Sequence, residues 1–569
     1  VDGNGGEPFV GDVAIRDGRI AAIGDVSGEA SETIEATGLL VTPGFVDIHS
    51  HYDGQAFFDD TLSPSNAHGV TTVVLGVCGI GFAPARTADH DLLVTTMESV
   101  EDIPGDVLRA GLQWEWETFP EFLDALERRG FAMDVAAHIG HVALRTYVMG
   151  ERGIANEPAT SEDIASMAKL AAEAVEAGAL GFSTSRVQAH TTLAGDPVPG
   201  TTANEDELFA IGRAIAETGR PVVFQVAEAG VDGQDPNDAL SEMAWMRKLS
   251  AELSIPVSFL VLQSLTAPNL WKELLDSAME AEKEGGKLRA QIANRPFGML
   301  LGLTTRHPFL KRPTFDRLSK SCESLEALVR ELRRPEIRQA ILSEEDTVDT
   351  GEKFETMGAL VGQMPALVYP LLSDLDYEPT PERSIDGLAK ERGMTPVELF
   401  YDLMLEEEGG RMFLVPFFNY ANGDHEAILE MLEHPATVLG LGDGGAHLAT
   451  ICDASMPTYQ LSHWARDRKR GPKLSLARAV QMQTKETAAL YGLNDRGTLE
   501  VGKRGDVNVI DFDRLDLLPP RRVQDLPANG SRLLQGATGY KATIVGGVVV
   551  RRDDRDTGER PGRLVRGAC

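Results

Sequence analysis

The sequence predicts an α/β protein: a (β/α)8 TIM-like barrel, a small β-sandwich built from both chain ends, and an inserted helical subdomain. Three observations predict it. From about residue 43 to 300, short apolar runs alternate with amphipathic stretches of helical period, the rhythm of parallel βα units. Residues 1–40 and the region after 498 carry short alternating β runs instead. Residues 297–410 break the rhythm with charged helical segments. The expected division is therefore 1–42 plus 498–569 for the sandwich, 43–296 plus 411–497 for the barrel, and 297–410 for the insert, placed as a lid over the barrel mouth.

The elements follow in order. Asp12–Ile15 and Arg19–Ile23 read as a hairpin turned at Asp17-Gly18. Pro43-Gly44 then turns the chain into Phe45, Val46 and Ile48, a buried strand. A clear helical unit spans Thr160–Gly178: Ser161 is the expected N-cap, Glu162 and Asp163 suit the first turn, and Ile164, Met167, Leu170, Ala171, Ala174 and Val175 share a face. Further strands are expected at Val135–His138, Pro221–Gln225, Val257–Gln263 and Arg289–Ala293, with helices at Glu205–Glu217 and Leu240–Leu253. In the insert, Leu325–Arg333 and Pro396–Glu407 read as helices, and the acidic runs Glu344–Asp349 and Glu406–Glu408 as solvated faces. The barrel is expected to resume with Met412–Phe417, to end its last strand at Thr437–Gly442, and to return to the sandwich through a helix at Leu476–Tyr491. The sandwich closes with Asp506–Asp511 and Ala542–Val550, turned at Gly546-Gly547.

Composition limits the function. The chain has 569 residues, 42% hydrophobic and 25% charged, as expected of a soluble globular protein with a large core. No apolar run is long enough to span a membrane. The formal net charge of −33 argues against nucleic-acid and anionic-membrane partners, because phosphates are repelled on average. The four cysteines, Cys78, Cys322, Cys452 and Cys569, form no framework and fit a reducing cytoplasm. A first residue of Val inside a strand-turn pattern leads us to expect a true N-terminus further upstream.

Barrel enzymes carry their reactive groups at the C-terminal ends of strands. His49 and His51 end the first strand; at i and i+2 they project to one face, a natural half of a metal site. Cys78 ends the second strand, and a thiolate is a good zinc ligand. Gln225 and Gln263 end strands five and six. Asp443 follows Val438-Leu439-Gly440-Leu441-Gly442 and precedes two glycines.

These segments resemble a known family. Pro43-Gly44-Phe45-Val46-Asp47-Ile48-His49-Ser50-His51 is similar to the first barrel strand of the amidohydrolase superfamily. The run from Gly69 to Pro84 around Cys78, Gly178–Ser183, Gly442–His447 and Gly497–Asp506 resemble its D-aminoacylase branch (amidohydrolase family 3-like) over nearly the whole chain. The resemblance implies a metal-dependent hydrolase of amide bonds. It also implies that Cys78 is a metal ligand, and that Asp443 touches the metal and shuttles a proton from attacking water to the leaving amine. The branch normally carries histidines where this chain has Gln225 and Gln263, and an amide oxygen is a weak zinc ligand. The expected centre is therefore one zinc, or another divalent metal, on His49, His51, Cys78 and Asp443.

The expected substrate is a small N-acyl amino acid, of the D series by resemblance. Arg186 or Arg295 is expected to grip its carboxylate, and His190, His447, Gln225 and Gln263 to line the pocket. His141, in Gly140-His141-Val142-Ala143-Leu144-Arg145, also matches a motif of the branch. Two other readings stay open: a hydrolase of cyclic amides using the same metal and Asp443, and a metal-free binding or scaffold protein. A cytoplasmic location and a homo-oligomer are compatible with both the composition and the resemblance.

Overall fold

The computed structural model of the chain describes residues 1–348 and 363–567. Cys569 and Asp349, the last residue of one acidic run, lie outside the described residues. The chain opens with the hairpin of β1 (Asp12–Arg16) and β2 (Arg19–Gly24). Asp17 and Gly18 both take positive φ, 52° and 75°, the backbone that a two-residue turn requires and that favours Asp-Gly there. β3 (Leu40–Pro43) then runs antiparallel to a strand near the other chain end.

Parallel strands follow. β4 (Phe45–Asp47), β5 (Val70–Leu75) and β6 (Asp134–Ala137) form one sheet. A second sheet orders β7 (Ile139–Gly140), β8 (Gly181–Ser185), β9 (Val223–Ala227), β10 (Pro256–Leu260), β11 (Lys287–Ile292) and, after the insert, Thr437–Leu439. Only His138 separates β6 from β7, so the two sheets continue one another. The helices Ser161–Ala177, Glu205–Glu217, Pro236–Leu253 and Leu270–Lys283 return the chain between parallel strands. In the first, Thr160 rather than Ser161 is the N-cap: its hydroxyl accepts from the Asp163 amide at 3.2 Å, and the Asp163 carboxylate accepts from the Thr160 amide at 2.8 Å. Met167, Ala171, Ala174 and Val175 are its buried face.

Inside the parallel strands, Val46, Ile48, Val74, Ala136, Leu180, Val223 and Val438 pack with Leu490 and Tyr491. Each side chain of this kind, fully buried, contributes about 1.5–3 kcal/mol. Below them Asp134 is fully buried between Arg496 and Arg504, each at 2.8 Å. The helix expected over Leu476–Tyr491 is two helices, Leu476–Met482 and Lys485–Leu490. The break turns the Gln483 carbonyl toward the Val46 amide, which donates to it at 3.0 Å. The first and last parallel strands thus share no ladder at this level, and a cavity lined by Val46, Asp47, Leu439 and Gly442 lies between them. They meet only at their C-terminal ends, through the parallel bridge Ser50–Gly444, the His51 amide on the Gly444 carbonyl (2.8 Å) and the Asp443 amide on the His49 carbonyl (3.2 Å).

β12 (Phe297–Gly302), β13 (Tyr369–Pro370) and β14 (Met412–Phe418) make an antiparallel sheet, with β14 central. Met412–Phe418 therefore does not resume the parallel series as expected; it pairs with β12 and belongs with the insert. A continuous apolar run reads the same for a buried strand of either direction, which is why the sequence misplaces it. Helices Pro313–Ser321, Leu325–Leu332, Pro335–Ser343, Ile385–Arg392 and Pro396–Met404 pack on this sheet around a separate apolar cluster including Phe309, Val329, Leu332, Tyr401 and Phe413.

The strands Val507–Ile510, Tyr540–Val545, Val548–Arg552 and Arg555–Asp556 join β3 in a five-stranded sheet, so both chain ends share one sheet. Ile20 of the opening hairpin packs with Val507, Val509, Ala542 and Ile544. Among the described residues, no helix is long and apolar enough to cross a membrane.

Candidate metal centre

The meeting of the first and last parallel strands builds the site. His49 and His51 lie just past β4 and are almost fully buried. The ring of His49 is oriented from behind: its Nδ1–H donates to Gln291 Oε1 at 2.6 Å, and Gln291 is itself held by Ser258 Oγ at 2.9 Å. That bond leaves the Nε2 lone pair of His49 facing forward. There it meets Cys78 Sγ at 3.4 Å and Asp443 Oδ1 at 3.3 Å. His51 Nε2 stands 3.8 Å from the same Asp443 oxygen.

Backbone strain places two of these groups. Cys78 has φ +55° and Asp443 has φ +46°, the left-handed region that costs a non-glycine residue of order 1 kcal/mol. The Cys78 amide is tied to Gln225 Oε1 at 2.7 Å. Beside Asp443, a Cβ on Gly445 (φ +92°) would lie 2.9 Å from the backbone of His51, so only glycine allows the two loops to approach this closely.

The separations decide what the cluster can hold. The Asp443 separations, 3.3 and 3.8 Å, are too long for good hydrogen bonds, and the 3.4 Å Cys78–His49 contact is one that sulfur can make. They match the edges of a tetrahedron around a metal with bonds of about 2.0–2.3 Å, which are about 3.3–3.6 Å. Two imidazole nitrogens, a sulfur and a carboxylate oxygen are a donor set that suits zinc or a similar divalent ion.

The electrostatics agree. Burial lowers His49 to about 4 against its Gln291 bond, and burial with neighbouring His49, His447 and His190 takes His51 well below its ordinary value. Burial, then Glu101, Asp443 and Glu228, pushes the Cys78 thiol well up. Burial pushes Asp443 up to about 7, although His447 pulls it down. Burial thus favours the neutral form of all four groups.

The other expected residues divide. Gln225 reaches the site but spends its oxygen on the Cys78 amide. Gln263 does not join: its Oε1 accepts from the Ala421 amide at 3.1 Å and its backbone amide donates to Asn419 Oδ1, beyond β14. Arg186 is closed into Glu242 at 2.7 Å and donates to the Ala203 carbonyl. Arg295 is buried against Asp453 at 2.8 Å and over the Tyr377 ring. Neither arginine offers its fork to a substrate carboxylate, contrary to expectation. His190 bonds Ser185 Oγ through Nδ1 at 2.8 Å and lies close enough to affect His51. His447 is partly exposed, with Nε2 3.7 Å from Glu101 Oε2. His141 is part of a separate network, bonded to Thr184 and Glu207.

Sequence reasoning missed Glu101, Gln291 and Glu228. Glu101 ends a helix and stands 3.5 Å from His51 Nδ1, with its carboxyl pushed well up by burial, then Asp443 and Asp53. Glu228 is buried past β9, accepts from the Leu260 amide at 3.0 Å, and burial pushes it up to about 8. In Leu288-Arg289-Ala290-Gln291-Ile292-Ala293, a polar residue at the C-terminal end of an expected barrel strand was a usable signal for Gln291. Helix packing alone delivers Glu101.

Comparisons with known proteins give a family and a fold. A family model described as the amidohydrolase family matches residues 32–551. The D-aminoacylase of Alcaligenes xylosoxydans xylosoxydans is 26% identical over 571 residues, covering 99% of this chain and 95% of that protein. A solved D-aminoacylase, described as having a binuclear metal center with one-metal activation and second-metal attenuation, superposes with a TM-score of 0.62 at 22% identity, covering 99% of this chain and 97% of that one. The N-acyl-D-glutamate deacylase of Bordetella bronchiseptica, solved with zinc and a phosphonate mimic of the tetrahedral intermediate, gives 0.63 at 21% identity, again with 99% and 97% covered.

Proposed function

Because the chain belongs to the amidohydrolase family, as a hydrolase of carbon–nitrogen bonds other than peptide bonds, we propose that it deacylates a small open-chain N-acyl amino acid, of the D series. One divalent metal, zinc by donor set, is held at this centre by His49, His51, Cys78 and Asp443. The observation that carries the reading is that ligand atoms of His49, His51 and Cys78 lie within 4.8 Å of one another, with Asp443 Oδ1 3.3 Å from His49 and 3.8 Å from His51. When bound, such an ion supplies Lewis acidity and makes water a better nucleophile at neutral pH.

The chain's own residues do the rest. Gln291 fixes the His49 tautomer and aims Nε2 forward. Asp443 takes the proton of the attacking water and returns it to the departing amine nitrogen. His447 and His190, at the edge of the cluster, donate to the carbonyl oxygen as it gains charge. The substrate carboxylate meets donors other than Arg186 and Arg295, which are engaged internally.

We read the parallel strands as a (β/α)8 barrel, and the isolated Ser50–Gly444 bridge between the first and last of them supports that reading. The sandwich takes 1–42 and 498–569, and the insert 297–418, leaving 43–296 and 419–497 to the barrel. The charge of −33 disfavours nucleic-acid and anionic-membrane partners, and the few scattered cysteines favour a cytoplasmic protein.

Metal content and turnover on the parent and Cys78→Ala test the proposal. We expect the variant to lose one metal per chain and hydrolysis of N-acyl-D-amino acids together. A parent that opens cyclic amides and leaves open-chain substrates untouched would overturn the substrate class. A Cys78→Ala variant with full metal content would overturn the ligand set.

A further inference from the structure

We infer that Glu378, His425 and His463 form a second divalent-metal site, distinct from the hydrolytic centre, that fastens the insert to the body of the protein. The three residues come from three elements. Glu378 lies in the strap between β13 and the helix Ile385–Arg392. His425 precedes the helix Glu426–Glu433. His463 sits in Gln460–Asp467, which is wound as a π-helix, a rare form frequent at functional sites.

Their ligand atoms all lie within 4.8 Å of one another. His425 Nδ1 is 3.7 Å and His463 Nε2 is 3.4 Å from the same oxygen, Glu378 Oε2. Both separations exceed a good hydrogen bond and are close to the edge of a metal tetrahedron. Both nitrogens are buried and have no hydrogen-bond partner. Orphaned buried nitrogens of this kind are costly unless something fills the gap.

The surroundings are built for a ligand role. His425 Nε2–H donates to the Tyr377 carbonyl at 3.0 Å, so the Nδ1 lone pair faces Glu378. The His425 amide donates to Glu378 Oε1 at 3.0 Å and orients the carboxylate. Tyr459 stacks on His463 with centroids 4.5 Å apart, and Trp464 lies against His425 at 5.7 Å, fixing both ring planes.

Arg468 is the competing cation. It donates to Glu378 Oε1 at 3.1 Å, to Oε2 at 3.4 Å and to Glu426 Oε1 at 2.8 Å. One guanidinium between two carboxylates leaves a net negative charge when the imidazoles are neutral. Two imidazoles and a carboxylate suit zinc, cobalt or nickel rather than calcium or magnesium.

The test is a Co²⁺ titration of the full chain after chelator stripping, followed by melting with and without EDTA. The His49→Ala/His51→Ala variant should keep one equivalent, and adding His463→Gln should remove it. In the otherwise unaltered chain, His463→Gln should lose one equivalent while keeping hydrolysis, and EDTA should lower the parent's melting temperature more than the variant's. If His463→Gln fails to fold, Glu378→Gln replaces it: the amide keeps the shape, and Arg468 keeps its partner Glu426. A His49→Ala/His51→Ala variant that binds no cobalt overturns the inference. So does a folded His463→Gln or Glu378→Gln chain that binds as much as the parent. Failure of the hydrolytic reading would appear separately, as an unchanged cobalt content in His49→Ala/His51→Ala.

Discussion

Two histidine–carboxylate groups stand past the ends of the parallel strands, and their distances set them apart. In one, His141 bonds Thr184 at 2.9 Å and Glu207 at 2.8 Å, and Arg145 reaches both Glu207 oxygens at 2.5 Å. In the other, His49 Nε2 stands 3.4 Å from Cys78 Sγ and 3.3 Å from Asp443 Oδ1, and His51 Nε2 stands 3.8 Å from that same oxygen. The first group satisfies itself and locks β8 to the helix Glu205–Glu217. The second holds nitrogen, sulfur and oxygen donor atoms apart from one another, a spacing that would suit a cation between them. The same residue types therefore meet at hydrogen-bond distance in the structural lock and at the wider spacing that a ligand shell would need in the proposed metal centre.

Substitutions can break this contrast from the larger effect to the smaller. Asp443→Asn should cut turnover by roughly 10²–10⁴-fold and leave the melting curve nearly unchanged, as followed by kinetics and circular dichroism. Glu207→Gln should do the reverse: removing one partner of a buried charge pair costs about 3–5 kcal/mol, read as a lower denaturation midpoint at unaltered metal content. Gln291→Leu should keep the fold and weaken metal binding by roughly 10–100-fold, measured by competition with a chromophoric chelator. Gln263→His should change metal stoichiometry not at all, because that side chain faces Ala421 and Pro268 rather than the cluster.

Acid sharpens the contrast further. Burial alone would raise Glu207, yet His141 and Arg145 outweigh it and lower its carboxyl from 4.5 to about 2. A depressed folded-state value stabilises above the unfolded pKa, so this contribution is complete above about pH 4.5 and is lost as pH falls toward 2. Chemical denaturation across that window should show a steeper loss in the parent than in Glu207→Gln.

The parts legible in the sequence are those a strand end displays locally. His49 and His51 share a face by period two, and Cys78 and Asp443 sit among the glycines that their left-handed backbone needs nearby. Nothing local shows where a long side chain finds its partner. Arg186 and Arg295 read as free forks, but their carboxylates, Glu242 and Asp453, lie 56 and 158 positions away. Likewise β14 carries an apolar run whose direction only its pairing with β12 fixes. The hairpin at Asp17-Gly18 and the helix capped by Thr160 needed no such distant information, and their residues dictate them.

The most direct measurement is X-ray absorption at the zinc edge on protein carrying His463→Gln, so that only the hydrolytic centre is loaded. We predict one sulfur at about 2.3 Å with nitrogen and oxygen at about 2.0–2.2 Å, the sulfur vanishing in Cys78→Ser on the same background. A shell of nitrogen and oxygen alone, unchanged by that substitution, would contradict the account.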